Sequence, residues 1–405
     1  MSEVKEIVKK EKETIKELLL KEARLSFDLA EKGISFNKNE IAKYRIAKSG
    51  VIAKRNAENL SFKLPHGVSA GGHFTPWTPY SIVIEDGTPV LYEEKTPIGE
   101  ITIPDKKPNP SLTEAILSDG QKFSNVMSYN EVAGSVSVGY SKECSLKETG
   151  EDCLFCTINV GEGKYTDRDG SLLTPKIVAE AYDLARKHGV GNHFKISGGF
   201  IPEQREVDQY IDVVEEIRKT YPDFYGCAVI GAPTDLTVLE KYKEAGYSFI
   251  STNLEVWHPD AFRLIVPGKE RNRGGRQNWI NTLIAVAEIF GKGHAHSSII
   301  GGLEPKAYTL EGIEYLASKG AIAQLNRFRP IPETPLEGYR SPTADFHWEL
   351  ADKTTDIYIK YGFTLKELTG KHPHTLTQDL FRIKTGDFEG DRLTPWKYPV
   401  LSKSK

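Results

Sequence analysis

The chain contains the stretch Ser135-Val-Ser-Val-Gly-Tyr140, followed by the loop Cys144-Ser-Leu-Lys-Glu-Thr-Gly-Glu-Asp-Cys153-Leu-Phe-Cys156. The first part alternates small polar with β-branched residues, which predicts a β-strand. The loop holds three of the four cysteines, in a C-x8-C-x2-C pattern with no fourth cysteine or histidine nearby. Such a cluster of thiolates binds zinc, forms a disulfide or holds an iron–sulfur cluster. The spacing favours a 4Fe–4S cluster with one iron left open, and leaves zinc and a disulfide as alternatives.

The bulk composition is that of a soluble globular protein. The 405 residues are 39% hydrophobic and 27% charged, with a net charge of −3. This charge gives no electrostatic reason to expect nucleic acid or an anionic membrane as a partner. No apolar run approaches the ~20 residues of a spanning helix, and the N-terminus lacks the apolar core of a signal peptide. Four cysteines, mostly clustered, suit a reducing compartment. We therefore expect a cytoplasmic protein.

Three regions are expected along the chain. Residues 1–125 are predicted to form an N-terminal extension of two helices, over 3–33 and 38–58, and a β-hairpin. Asp86-Gly87 lies between two apolar runs, 82–84 and 90–92, which is a strong hairpin signal, and 101–103 is expected to add a third strand. A proline-rich linker spans 104–110. The barrel core follows over 126–362, and 363–405 is a C-terminal segment with helix-like pieces.

From Ser135 onward, predicted strands and helices alternate at short intervals. Six such units predict an α/β fold, a partial parallel (βα)6 TIM-type barrel. Active sites of parallel βα barrels lie at the carboxyl ends of the strands. The cysteine loop follows the first strand, so we expect it at that edge.

Four further motifs end later strands. The second strand ends in Ser197-Gly198-Gly199, where glycines allow close approach of the backbone to a ligand. The fourth strand ends in Thr252-Asn253-Leu254-Glu255, and the fifth in the segment 297–304, which includes Ile299. The sixth ends in Asn326-Arg-Phe-Arg-Pro-Ile-Pro-Glu-Thr-Pro-Leu336. The motif Ser197-Gly198-Gly199 also has a purely structural interpretation, as a tight turn between strand and helix.

Taken in order, these motifs and the cysteine loop resemble the radical S-adenosylmethionine (SAM) superfamily. The nearest group is that of biotin synthase, the FeFe-hydrogenase maturases and methylornithine synthase, together with the radical SAM proteins associated with the mononuclear iron hydrogenase cofactor. The first cysteine gap departs from the common pattern, with eight residues in place of three. The resemblance covers roughly residues 130–345.

The resemblance implies site residues and cofactors. The metal ligands would be Cys144, Cys153 and Cys156, holding a 4Fe–4S cluster. An arginine near the start of the helix after the fourth strand would bind the SAM carboxylate, and Arg276 is preferred to Arg273 because it lies nearer that helix. The residues that would contact SAM are Phe155, Ser197, Gly198, Gly199, Asn253, Glu255, Arg273, Arg276, Ile299 and Phe328.

The resemblance also implies the activity. Such an enzyme cleaves SAM to a 5′-deoxyadenosyl radical, which abstracts hydrogen from a small polar substrate, here in cofactor or metallocentre biosynthesis. An electron donor such as ferredoxin or flavodoxin would be its partner. The alternatives are a zinc-binding barrel lyase or hydrolase and a non-catalytic iron–sulfur protein.

The charge of the substrate depends on which way five basic side chains of the predicted strands point. They are Lys195, His294, His296, Arg327 and Arg329, all expected near the open end of the barrel. If they face inward, a small anionic substrate follows, because buried cations need partners. The equal alternative is that the arginines face the outer helices or solvent.

Overall fold

The computed structural model describes residues 2–42, 44, 46–48, 58–103, 110–130, 134–141, 143–156, 173–370 and 376–387. The predicted linker lies outside these residues except for Pro110. The last part of the predicted C-terminal segment lies outside them too. In the described parts of the chain, no helix is both long and apolar enough to cross a membrane.

One long helix and two small sheets make up the N-terminal extension. Strands β2, β3 and β4 form an antiparallel sheet, and β1, β5, β6 and β7 form a second sheet in that order. The elements are α1 (Ser2–Lys32), β1 (Ser35–Phe36), β2 (Ile46–Lys48), β3 (Glu58–Lys63), β4 (Ser69–His73), β5 (Tyr80–Glu85), β6 (Thr88–Glu93) and β7 (Thr96–Glu100).

The extension confirms the predicted first helix and hairpin and corrects two other elements. Asp86 and Gly87 both have positive φ, at 47° and 84°, as a two-residue hairpin turn requires. The predicted helix over 38–58 is wrong where the chain is described, because β2 pairs there with β3. Pairing with a neighbouring strand overrides the local helix preference. The third strand is β7, earlier than predicted, since a second tight turn follows β6 directly.

The core is a half-barrel sheet of seven strands in the order β14-β13-β12-β11-β10-β9-β8. Strands β9 to β14 are parallel, which confirms the six predicted strands, and β8 is an antiparallel edge strand that was not predicted. The strands are β8 (Ser128–Asn130), β9 (Ser135–Ser141), β10 (His193–Gly198), β11 (Gly226–Val229), β12 (Phe249–Ser251), β13 (Ala295–Gly301) and β14 (Ala321–Arg327).

Each pair of parallel strands is connected through at least one helix. Thr174 caps α5, because its side chain accepts a hydrogen bond from the Ile177 amide. The helices are α2 (Pro110–Thr113), α3 (Phe123–Val126), α4 (Ser145–Glu148), α5 (Pro175–Lys187), α6 (Glu203–Arg218), α7 (Val238–Ala245), α8 (Pro259–Ile265), α9 (Pro267–Arg271), α10 (Gly275–Phe290), α11 (Lys306–Ser318), α12 (Ala344–Lys360), α13 (Leu365–Leu368) and α14 (Leu376–Thr385).

The strand register separates an apolar face of the sheet from a polar one. Right-handed crossovers between sequential strands put the helices on one side, and the apolar face packs in one core with helix residues. The apolar face consists of Val136, Val138, Phe194, Ile196, Ala228, Ile250, Ala295, Ile299, Ala321 and Ala323. The polar face includes Ser135, Ser137, His193, Lys195, Ser197, Cys227, Ser251, His296, Ser298, Gln324 and Asn326.

Candidate active site

The cysteine loop leaves β9 and runs directly over the turn that ends β10. A Cβ atom on Gly199 would lie 1.8 Å from the carbonyl oxygen of Glu143 and 3.1 Å from the Cβ of Cys144. The amide of Ser145 donates to the carbonyl oxygen of Phe200 over 2.8 Å. Only a residue without a side chain tolerates this approach. Gly199 therefore sets the distance between the cysteine loop and the second parallel strand.

The far end of the loop is held by the segment between β12 and α10. The amide of Gly268 donates to the carbonyl oxygen of Glu151 over 2.9 Å, and the amide of Leu154 donates to that of Ile265 over 3.0 Å. The Glu151 carboxylate accepts from Arg271 over 2.6 Å. The positions of the cysteines therefore depend on two neighbouring parts of the core.

Lys269 is the functional candidate that sequence reasoning missed. Its buried ammonium group donates to the carbonyl oxygen of Asn253 over 2.7 Å and to the Glu255 carboxylate over 3.1 Å. It lies 4.6 Å from the centre of the Trp279 ring and within electrostatic reach of Cys153. Burial acts to lower the pKa of Lys269, but the Glu255 carboxylate, Cys153 and Cys156 together more than offset this and leave the pKa raised. The ammonium group thus joins the end of β12 to the cysteine loop.

The signal for Lys269 was present in the sequence but ambiguous. It belongs to the basic stretch 267–276, which reads as a solvated turn because four cations fall within eight residues. The structure instead forms the short helix α9 there and buries Lys269, whose side chain is about 10% exposed. The burial of one lysine among several charged residues depends on tertiary packing, and no periodic pattern in the sequence predicts it.

The three thiols of the loop are partly buried, and none is in a disulfide. Burial raises the pKa of Cys153 to about 12, and Cys144 and Cys156 both lie within its electrostatic reach. Within the described ranges, no three Cys, His, Asp or Glu side chains are grouped so as to hold a metal ion. Metal coordination deprotonates cysteine, and thiolates are the form that binds iron. The donor chemistry of three cysteines on one loop fits an iron–sulfur cluster.

The turn after β12 gathers polar groups at the same edge. The Asn253 side-chain oxygen accepts from the amide of Ser298 over 3.2 Å, and the Leu254 amide donates to the Ser297 hydroxyl over 2.9 Å. Glu255 has a φ of 72°, and its amide donates to the carbonyl oxygen of Ser298. A positive φ outside glycine costs about 1–3 kcal/mol and persists where the surroundings impose it. These bonds hold Asn253 and Glu255 in place beside Lys269.

The two predicted arginines point to different parts of this edge. Arg273 lies 3.4 Å from the buried Glu206 carboxylate and 4.3 Å from the centre of the Phe200 ring, directly after the Gly-Gly turn. Arg276 donates to the carbonyl oxygen of Trp257 over 2.7 Å and stacks on its ring, and burial lowers the pKa of Arg276. Of the two, Arg273 is the one that the fold brings to the turn after β10.

The remaining predicted contacts divide into edge residues and core residues. Ser197 and Gly198 end β10 beside the cysteine loop, and Phe155 packs partly buried against the core. Ile299 and Phe328 are buried members of the hydrophobic core. Their side chains pack in that core, and their contact with SAM stays a prediction.

The five basic residues weighed for the substrate do not act as one group. Lys195 is on the polar face, and burial lowers its pKa. His294 and His296 lie at the start of β13, so the expectation that they are near the open end is wrong. Arg327 and Arg329 contact helix α1, which is the second of the predicted alternatives.

The chain is similar over part of its length to known proteins. It is 30% identical over 243 residues to the bacteriochlorophyllide c C-7(1)-hydroxylase of Chlorobaculum limnaeum, covering 56% of this chain and 60% of that protein. It is 25% identical over 189 residues to the biotin synthase of Bacillus subtilis, covering 46% and 53%. The FeFe-hydrogenase maturase HydG of Carboxydothermus hydrogenoformans aligns with a TM-score of 0.43 and 14% identity, covering 56% of this chain and 52% of that one. No protein-family model matches. The matches span about half to three fifths of these proteins.

Proposed function

We propose that this chain, which belongs to the radical SAM superfamily, is an enzyme that cleaves SAM at a 4Fe–4S cluster and acts on a small polar substrate. The cofactors of this superfamily are that cluster and SAM. When bound, they supply a 5′-deoxyadenosyl radical that removes a hydrogen atom from the substrate.

One observation carries this proposal. The cysteine loop packs so tightly on the end of β10 that Gly199 has no room for a side chain. Cysteines, a bare backbone turn and a polar strand end therefore share one edge of a parallel sheet. Carboxyl ends of parallel strands are where βα barrels bind ligands, which supports a partial TIM-type barrel with its site there.

The proposed ligands of the cluster are Cys144, Cys153 and Cys156. The backbone of Gly198 is exposed and would approach SAM closely, because no side chain shields it, whereas Gly199 is buried against the cysteine loop. Asn253 and Glu255 would hold polar groups of the nucleoside, since their positions are already imposed by Ser298 and Lys269. Lys269 would orient these two residues and favour thiolate over thiol in the loop.

Arg273 is the better candidate for the SAM carboxylate. Its guanidinium lies over Phe200 and beside the Gly-Gly turn, whereas that of Arg276 faces Trp257.

The polar face of the sheet would line the substrate cavity of the barrel. Its serines, asparagine and glutamine suit a small polar molecule, in keeping with a role in cofactor or metallocentre biosynthesis. A ferredoxin or flavodoxin would deliver the electron.

The cysteine assignment is tested by iron content. After anaerobic reconstitution, we expect Cys144→Ala, Cys153→Ala and Cys156→Ala each to lose most of the iron and acid-labile sulfide that the wild-type chain binds. Cys227→Ala is the matched control, because Cys227 is buried mid-strand on β11 and away from the loop. Equal iron in all four variants would contradict the assignment.

The enzymatic activity needs a separate readout. Reconstituted protein with SAM and a strong reductant should release 5′-deoxyadenosine, and the three loop variants should not. Zinc in place of iron in protein isolated without oxygen would favour a zinc-binding barrel enzyme. A stable cluster without any 5′-deoxyadenosine would favour a non-catalytic iron–sulfur protein.

A further inference from the structure

Two arginine side chains lie between the end of β14 and the N-terminal helix α1. The guanidinium of Arg327 lies 5.8 Å from the centre of the Phe27 ring. Two residues along the chain, Arg329 donates to the carbonyl oxygen of Ala30 over 2.7 Å. Both therefore point away from the polar face of the sheet, into the layer between the barrel and the extension.

The described residues supply no anion to this pair. Arg327 makes neither a hydrogen bond nor an ion pair with them, and the charge that acts on it is the positive charge of Arg329. Burial lowers the pKa of Arg327 to about 10, so the group is still cationic at neutral pH. Buried charges in proteins are normally paired, because an unpaired one loses its hydration without compensation.

Two histidines complete the cluster. His347, in the first turn of α12, is only 4% exposed, and its Nδ1 atom is buried without a hydrogen-bond partner in the described chain. It is within electrostatic reach of both arginines. His73, at the end of β4, is within reach of Arg329. Groups able to donate N–H bonds thus converge from β14, α12 and the extension.

We propose that Arg327, Arg329 and His347 bind an anionic group of a small molecule, a carboxylate or a phosphate, between β14 and α1. The planar guanidinium donates two parallel hydrogen bonds to either group, which a point charge cannot do. The imidazole of His347 would pair its vacant nitrogen with the same anion or with a neighbouring polar atom of the ligand. This site is separate from the cysteine loop and does not depend on the chemistry proposed there.

The test measures anion binding by the full chain carrying its cluster, as isolated without oxygen. Thermal unfolding is followed while inorganic phosphate or malonate replaces chloride at constant ionic strength. We expect a saturable rise in Tm for one of the two anions, and the anion that acts identifies phosphate or carboxylate as the ligand group. Stabilisation grows with occupancy because only the folded chain holds the site.

Arg327→Met should weaken the apparent affinity for that anion by about tenfold or more, as expected for loss of a charge-assisted hydrogen bond. Without anion, its Tm should be no lower than that of the wild type, because a buried unpaired charge is removed. The matched control is Arg263→Met, which removes an exposed arginine from α8 and should leave the response unchanged.

If Arg327→Met does not fold, Arg327→Lys takes its place, because it keeps the charge and loses the planar fork. It too should bind the anion more weakly. An equal saturable response in the wild type and the Arg327 variant would overturn the proposal. So would the absence of a saturable response to either anion in the wild type.

Discussion

Gly199 is the residue on which the geometry of the site depends most directly. The carbonyl oxygen of Glu143 occupies the space that a Cβ atom on Gly199 would need, and the Cβ of Cys144 lies next to that space. The neighbouring Gly139, on β9, has open space at the same atom. A methyl group would therefore meet backbone at Gly199, in the turn after β10, and nothing at Gly139 in the adjacent strand β9.

Gly199→Ala should therefore destabilise the fold and displace the cysteine loop. The added methyl group meets backbone rather than a flexible side chain, so we expect a loss of about 1–3 kcal/mol in the free energy of unfolding. Iron content after reconstitution should fall in parallel. Gly139→Ala is the control, and similar urea unfolding curves for both variants would contradict this account.

The Glu206 carboxyl predicts a pH dependence. Burial raises the pKa of Glu206 to about 7 from its ordinary value of 4.5, although Arg273 opposes the shift. Between these pH values the folded chain holds a proton that the unfolded chain releases, so stability falls as pH rises through this window. The full effect is at most about 3 kcal/mol.

Urea unfolding across this pH range checks the prediction. Glu206→Gln cannot ionise, so its free energy of unfolding should fall less steeply with pH than that of the wild type. The matched control is Glu215→Gln on the exposed side of the same helix. A Glu206→Gln slope equal to that of the wild type would show that this carboxyl is ionised throughout.

At the scale of elements, the turn after β12 depends on its neighbour β13. The Ser297 hydroxyl accepts from the Leu254 amide, and the backbone of β13 pairs with Glu255. Ser297 takes the place of a glycine in the pattern that the fifth strand resembles. The structure gives this departure a role, because the hydroxyl satisfies a backbone amide that is buried.

Ser297→Ala should cost about 1–3 kcal/mol, because it leaves the Leu254 amide without its acceptor. The dissociation constant for SAM should rise, since Asn253 and Glu255 flank that amide. Ser81→Ala, in the β-sheet of the extension, is the comparison, as no hydrogen bond of its hydroxyl is present in the described structure. If Ser297→Ala lowered the stability but left the affinity for SAM unchanged, the turn after β12 would have no part in SAM binding.

The elements also show what sequence patterns can and cannot predict. The six parallel strands and their connecting helices were predicted because strand and helix patterns alternate at short intervals in this part of the sequence. The helix predicted over 38–58 failed because β2 is only three residues long and is stabilised by pairing with β3. The orientation of Arg276 and Arg273 could not be predicted, since they are three residues apart in the sequence and only the packing against Trp257 and Phe200 separates them.

At the scale of the whole molecule, α1 joins the extension to the barrel. Phe27 is 2% exposed and packs edge to face on Trp348 of α12, with ring centres 5.8 Å apart. Leu325 of β14 packs against the same cluster. One hydrophobic core thus contains residues from the first and last parts of the described chain.

Phe27→Ala should lower the free energy of unfolding by about 3–5 kcal/mol, as expected for a large buried side chain. If the extension and barrel unfold together, near-UV circular dichroism and far-UV circular dichroism will report one coincident transition in urea. Trp77→Ala removes a side chain that is 91% exposed and should change stability by less than about 0.5 kcal/mol. Similar losses in the two variants would argue against a shared core.

The sequence by itself determined the parallel α/β core and the position of the cysteine loop after the first strand, and it indicated the resemblance to the radical SAM superfamily. These follow from local periodicity, from strand-end motifs and from residue types that have few other uses. Only the tertiary structure decided that Lys269 pairs with Glu255 within electrostatic reach of Cys153, that Arg327 and Arg329 face α1, and that β13 holds the turn after β12. Those features depend on contacts between residues distant in the chain, and a contact of that kind leaves no pattern in the sequence around either partner.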